Sequence, residues 1–206
     1  MSLEITEIFK LFEINEIDYC VLRNYDQFTE KEDIDILVNE KRKLKIIFSK
    51  LNFKKGAEYG NYLSINGNYR LDFKVGAIPY WGFSYSSSKE LIKRKRRFGK
   101  IYVLSYEDEL IHLLLHSILD KNCFSEIYKN KIELLIKKSD FSHVSSELKN
   151  KFGGLGKKLS DWLLAKDYRS LLSSRRKMFL KIFSIRGLIW LFCILSVRTA
   201  GNFFSR

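Results

Sequence analysis

Three aspartates carry the residue types and spacing from which chemistry can be built. Asp33 and Asp35 lie two apart in Glu32-Asp-Ile-Asp-Ile-Leu-Val38, and Asp72 lies in Tyr69-Arg-Leu-Asp-Phe-Lys74. Side chains two apart on a strand leave the same face, so Asp33 and Asp35 should project together. In the second segment Arg70, Asp72 and Lys74 take one face, while Tyr69, Leu71 and Phe73 take the other. Carboxylates grouped this way can bind Mg²⁺, or Mn²⁺ in its place, through single oxygens, leaving positions for water and phosphate oxygens. In a two-metal site one ion activates a nucleophile and the other stabilises charge on the phosphates and the leaving pyrophosphate. A third carboxylate on a neighbouring strand can hold the metal near an attacking hydroxyl and accept its proton. The plain alternative is a set of solvated strand acids. The phase of Asp72, polar on one side and apolar on the other, favours the site.

The elements that must position these acids follow from the apolar pattern. Ile5, Ile8, Phe9 and Phe12 recur at helical spacing within residues 3–17. Tyr19 to Leu22 is a short apolar strand, Arg23 to Glu32 a polar loop, and Ile34 to Val38 the next strand. Asn39 is placed to cap a helix carrying Leu44, Ile47, Phe48 and Leu51. Asn66-Gly67, between Tyr62–Ile65 and Tyr69–Lys74, is a strong hairpin signal. Gly76 to Ser88 is an aromatic, Ser-rich loop, and a strand is expected over Ile101 to Leu104. Ser105 with Asp108 forms a capping-box pattern opening a helix through Leu119. Beyond it all patterns are helical, broken at Lys121-Asn122 and at Gly153-Gly154-Leu155-Gly156. The fold class is therefore α/β (α+β): a mixed sheet with flanking helices over residues 1–104, then a helical region over 105–206.

Composition narrows the partners. The chain has 206 residues, enough for one domain or a domain with a small appendage. Its 46% apolar content is enough for a core, 30% charge with 15% aromatic argues against disorder, and a net charge of +13 favours anionic partners. Cys20, Cys123 and Cys193 lack metal-ligand spacing, which suits free thiols in a reducing cytoplasm. The start, Met1-Ser-Leu-Glu-Ile, lacks the basic and apolar regions of a secretion signal.

A strand, a loop, then hydrophobic-Asp-hydrophobic-Asp-hydrophobic and a distal Asp on a later strand resembles the nucleotidyltransferase superfamily, with its DNA polymerase β-like fold. Tyr19-Cys-Val-Leu-Arg-Asn-Tyr25, Glu32 to Val38 and Ser105-Tyr-Glu-Asp-Glu-Leu-Ile-His-Leu-Leu-Leu-His116 are similar to a poorly characterised bacterial branch often associated with polysaccharide biosynthesis. The resemblance covers roughly residues 1–135. It implies Asp33 and Asp35 as the metal pair and Asp72 as the third carboxylate. The superfamily usually has Gly-Ser at the start of the loop, where this chain has Arg23-Asn24. A guanidinium there can grip phosphate through two parallel hydrogen bonds, with Asn24 donating another. The departure leaves the donor nucleotide open and admits a changed reaction. A glycosyltransferase Asp-x-Asp is disfavoured, because only one helix and one short strand precede Asp33.

Other residues carry weaker signals. Lys93-Arg-Lys-Arg-Arg97 is the densest positive charge, either an anion-contacting segment or a solvated helix face. Tyr80, Trp81, Phe83 and Tyr85 upstream could stack on a base or sugar, or fill core or lid. His112 and His116 stand one helical turn apart without a third ligand, so a hydrogen-bonded packing role outranks a metal. His116 is also placed to face the nucleotide, and Lys121 and Tyr128 follow in a pattern the family likeness supports. The apolar stretch Gly187–Val197, bounded by Arg186 and Arg198, is shorter than the ~20 residues a spanning helix needs. With the basic residues upstream it could dock on anionic lipid, pack on the core or meet a second subunit.

The sequence therefore leads to an expected Mg²⁺-dependent transfer of a nucleoside monophosphate from a nucleoside triphosphate to a hydroxyl. The acceptor implied by the likeness is small or glycan-linked rather than a polynucleotide, and pyrophosphate is released. Two alternatives are a non-catalytic nucleotide- or glycan-binding module of the same fold and a peripheral-membrane protein acting through the tail. A cytoplasmic location, at the inner membrane face if the tail docks there, fits all three.

Overall fold

The computed structural model describes residues 5–26, 33–40, 42–44, 48, 53–55, 61–64, 70–78, 80 and 83–183. Helix α1 (Ile5–Ile14) leads into strand β1 (Tyr19–Val21), and β2 (Asp33–Val38) pairs antiparallel with it. Strands β3 (Phe53–Lys55), β4 (Asn61–Ser64) and β5 (Arg70–Val75) form an antiparallel run. Then come helix α2 (Ser88–Lys93) and the antiparallel pair β6 (Arg96–Phe98) and β7 (Ile101–Val103). The seven strands form one mixed sheet in the order β3-β4-β5-β2-β1-β7-β6. Its parallel contacts are β2 with β5 and β1 with β7. The mixed α+β class expected from the sequence is the observed one.

Side-chain alternation divides the sheet between two cores. Tyr19, Val21, Ile34, Ile36, Val38, Leu71 and Phe73 turn toward α1, where Ile8, Phe9 and Phe12 are buried. Phe9 stacks on Tyr19 at 5.1 Å, and Phe48 meets Phe73 at the same separation. Residues 42–44 and 48 are helical, and Leu44 and Phe48 fill this side as the sequence pattern requires. The other residues of that expected helix, and the Asn66-Gly67 turn, lie outside the described residues.

Cys20, Leu22 and Leu37 turn the opposite way, onto the helical half of the chain. There α3 (Tyr106–Leu115) lies against the sheet, with Leu110, Leu114 and Ile111 buried. Helices α4 (Glu126–Lys138), α5 (Phe141–Phe152), α6 (Gly154–Leu164) and α7 (Tyr168–Ser173) extend the same apolar cluster. Helical residues 175–183 add Met178 and Ile182 to it. Gly153, at φ +61°, makes the turn between α5 and α6 in a conformation other residues rarely adopt. Gly156 admits α6 against α5, since a Cβ there would meet the Leu148 carbonyl oxygen at 2.0 Å.

Two local expectations change. The helix that starts at Ser105 keeps its N-cap, with Ser105 Oγ accepting from the Asp108 N–H, but α-helical geometry stops at Leu115. A π-helical turn follows over His116–Lys121 and closes on Asn122 in the left-handed region. The reciprocal capping box lies elsewhere, at Ser87 and Glu90 of α2. The basic run Lys93–Arg97 is not a helix face either. It ends α2 and enters strand β6, a feature hidden by its lack of apolar residues.

Candidate functional site

In the parallel β2–β5 pair Asp35 is the register partner of Asp72, and Asp33 that of Arg70. The carboxylates of Asp33, Asp35 and Asp72 therefore share the sheet face that carries the helical half. Burial falls along β2 in steps of two: Leu37 is enclosed, Asp35 is 7% exposed and Asp33 lies open at the margin. The acids sit where the apolar cover ends. Burial is the main force raising the Asp72 pKa, and the charges of Asp35 and Asp33 push it further up, while Lys74 pulls it down.

Each of the two inner acids meets a protein cation. Arg23 Nε donates to Asp35 Oδ2 at 2.6 Å. Lys74, one strand step beyond Asp72, places its ammonium 2.5 Å from Asp72 Oδ2 and 4.0 Å from Asp35 Oδ1. Asp72 Oδ1 is buried without a hydrogen-bond partner. Among the described residues no three His, Cys, Asp or Glu side chains are grouped closely enough to hold a metal as they stand. The donor chemistry nevertheless suits a hard divalent cation: two carboxylates side by side, one with an unmatched oxygen, and a third at the rim. Lys74 marks where positive charge is favoured between them.

Arg23 is the centre of a wider network. Its Nη1 donates to the Tyr128 hydroxyl and to His116 Nε2, both at 2.6 Å. Since a guanidinium only donates, His116 Nε2 accepts, which leaves the ring proton on Nδ1, 3.0 Å from Asp120 Oδ2. The π-helical turn brings His116 to Arg23 and Lys121 to the neighbouring cavity; such turns recur at functional sites. Burial works against the charge of Arg23, but Asp35 and Tyr128 outweigh it and raise its pKa. Asn24 holds φ +57°, a left-handed conformation that asparagine tolerates, at the bend beyond Arg23.

A cavity of about 590 Å³ opens beside this network and is lined by Arg23, Asn24, Lys121 and Tyr128 among others. His116 does not line it; its contact is with Arg23. The sequence reading passed over Lys74, Lys131 and Glu109. Lys74 was legible, two residues from Asp72 on the same face. Glu109 had a weaker signal, as one of three acids in the first turn of α3.

The remaining candidates are structural. Tyr80 and Tyr85 are fully buried, and the Tyr80 hydroxyl bonds to His112 Nδ1. Burial pushes the His112 pKa well below its usual value, so this ring packs in the core as a neutral group. In the basic run, Arg94 grips Asp108 through two bonds of 2.8 and 2.9 Å. Arg96 meets Glu109 at 3.0 Å, Lys95 meets Asp18 at 3.0 Å and Arg97 meets Glu13 at 3.5 Å. Four of the five charges therefore fasten β6 to the body of the molecule. Trp81 and the apolar stretch Gly187–Val197 lie outside the described residues. No helix among the described residues is long and apolar enough to cross a membrane.

The fold and this cluster define an α+β protein with an acid pair at the open margin of a seven-stranded mixed sheet. No family model matches the chain. No curated protein matches it either. Among solved structures it is similar to JHP933 from Helicobacter pylori, at 14% identity and a TM-score of 0.36 over 98% of this chain and 99% of that one. That likeness is too low to transfer fold or function.

Proposed function

We propose that this chain is a nucleotidyltransferase that moves a nucleoside monophosphate from a triphosphate to a hydroxyl of a small or glycan-linked acceptor. The observation that carries the reading is the register pairing of Asp35 with Asp72, with Asp33 on the same face. Asp33, Asp35 and Asp72 would hold Mg²⁺, which when bound supplies charge stabilisation at the phosphates and lowers the pKa of a coordinated hydroxyl. Asp72 is the residue suited to receive the acceptor's proton. Its pKa lies above that of an ordinary carboxylate because burial disfavours its charge, and its Oδ1 has no partner within the protein. Arg23 and Asn24 supply donors for phosphate oxygens, and Lys121 adds charge from the cavity lining. His116 acts through Arg23, holding the guanidinium in place.

A second reading is favoured by one observation. Arg23 and Lys74 already neutralise Asp35 and Asp72, as in a nucleotide-binding module that has lost transfer chemistry. Incubation with each nucleoside triphosphate, Mg²⁺ and a panel of sugars and sugar phosphates separates the two. The transferase predicts acceptor-dependent release of pyrophosphate. Tight triphosphate binding with no release under any acceptor would select the module.

A further inference from the structure

The cavity beside Arg23 has a lining that selects a ligand. Three cations reach it, Arg23, Lys121 and Lys131, against two acids, Asp26 and Glu109. Lys131 Nζ lies 3.0 Å from Asp26 Oδ2 and 3.5 Å from Glu109 Oε1, so it is anchored between the acids. Lys121 is exposed at the opposite end of the π-helical turn. Glu109 is fully buried, and its Oε2 accepts from Tyr25 at 2.6 Å and from Arg96 at 3.0 Å. Its Oε1 has no hydrogen-bond partner. That oxygen is enclosed and its charge is met by Lys131, whereas the Asp26 carboxylate is about half exposed at the lining and can accept from a ligand hydroxyl. Leu113 and Leu134 give the wall apolar patches suited to the carbon face of a ring. A volume of about 590 Å³ matches a small-molecule site.

Anionic charge for the cations, a hydroxyl donor for Asp26 and a ring for the leucines together describe one chemical class. We infer that this cavity binds a sugar phosphate, either free or as the sugar-phosphate part of a nucleotide. The inference rests on the transferase reading only for which role that ligand plays, acceptor or donor. Arg23 stands between the cavity and the acid pair, with Nε on Asp35 and Nη1 on Tyr128. A phosphate held in the cavity therefore lies next to the proposed metal residues without requiring them.

The test is binding to the full chain in the presence of EDTA, which keeps the metal site out of the measurement. Heteronuclear NMR would follow titrations of a hexose 1-phosphate, a nucleoside triphosphate and inorganic phosphate. The expected result is saturable binding of at least one of the two sugar-phosphate probes, with shifts concentrated at residues 23–26 and 121–131. Lys121→Glu should weaken it roughly tenfold or more, about 1.4 kcal/mol. Lys100→Glu, the same charge reversal in the β6–β7 turn, should leave it within about twofold. Preference for the hexose phosphate assigns the acceptor, and preference for the triphosphate assigns the donor. No saturation by either probe to about 10 mM, well above a millimolar site, would overturn the inference. So would equal weakening by both substitutions, which would reduce the effect to net charge. Failure of pyrophosphate release alongside intact binding would remove the transferase and leave the cavity site standing.

Discussion

Two sets of acids, one on helix α3 and one on strands β2 and β5, are treated differently. Asp108 and Glu109 are wholly buried, and Arg94 and Arg96 each deliver hydrogen bonds to them, with Ser105 and Tyr25 adding others. Asp35 and Asp72 stand at the edge of the apolar cover, each with one close cation, and Asp72 keeps an oxygen without a partner. The first set joins β6, α3 and the loop after β1. The second leaves coordination capacity unused beside the open margin of the sheet. Buried charge matched by close cations holds a fold together, while an acid at a margin with an unmatched oxygen is available for a ligand.

Substitutions can break this contrast at either end. The largest expected effect is on transfer: Asp72→Asn should lower the rate of pyrophosphate release by roughly 10²–10⁴-fold, as expected for loss of a proton acceptor. The same substitution should not reduce stability near pH 7. Burial raises the Asp72 pKa, so the folded chain binds a proton that the unfolded chain has released. Stability therefore falls as pH rises from the ordinary carboxylate value through the raised one, and the penalty is complete above it. Urea melts across that window should show the fall in the parent chain and its absence in Asp72→Asn.

Arg94→Met attacks the other set. It strands a buried Asp108 and should cost about 3–5 kcal/mol in urea unfolding, with little specific effect on ligand affinity in the fraction that stays folded. Lys74→Met sharpens the difference from the site side. Removing the ammonium that competes for Asp35 and Asp72 should tighten Mn²⁺ binding roughly tenfold, about 1.4 kcal/mol, by calorimetry. Unchanged or weaker binding would show that Lys74 does not occupy the cation position. The smallest effect belongs to Lys93→Ala, an exposed member of the basic run, which should stay within about 0.5 kcal/mol of the parent chain.

Much of this arrangement could be read from residue order. The alternation in Arg70–Val75 put Asp72 and Lys74 opposite Leu71 and Phe73, and the strand around Asp35 followed from its apolar neighbours. Parallel pairing of β2 with β5 was not legible, because register across a crossover depends on tertiary packing that no local pattern encodes. Strand β6 escaped for a different reason. Arg-Arg-Phe has no alternating apolar signal, and it is held by Glu13 and Glu109, acids distant in sequence. The π-helical turn was hidden because His116–Lys121 keeps an ordinary helical composition while its hydrogen bonds span five residues instead of four. His112 and His116 looked equivalent by spacing and both are buried, but their partners separate them. His112 is fixed in the core against Tyr80, and His116 reaches the network of Arg23.

The most direct measurement is Mn²⁺ binding by electron paramagnetic resonance, with a non-hydrolysable triphosphate present, on the parent chain and on Asp35→Asn and Asp72→Asn proteins shown to be folded. If the aligned carboxylates form the metal centre, free Mn²⁺ should be depleted in a saturable way by the parent chain and restored in both variants. Equal depletion by all three proteins, or none by the parent, would contradict it.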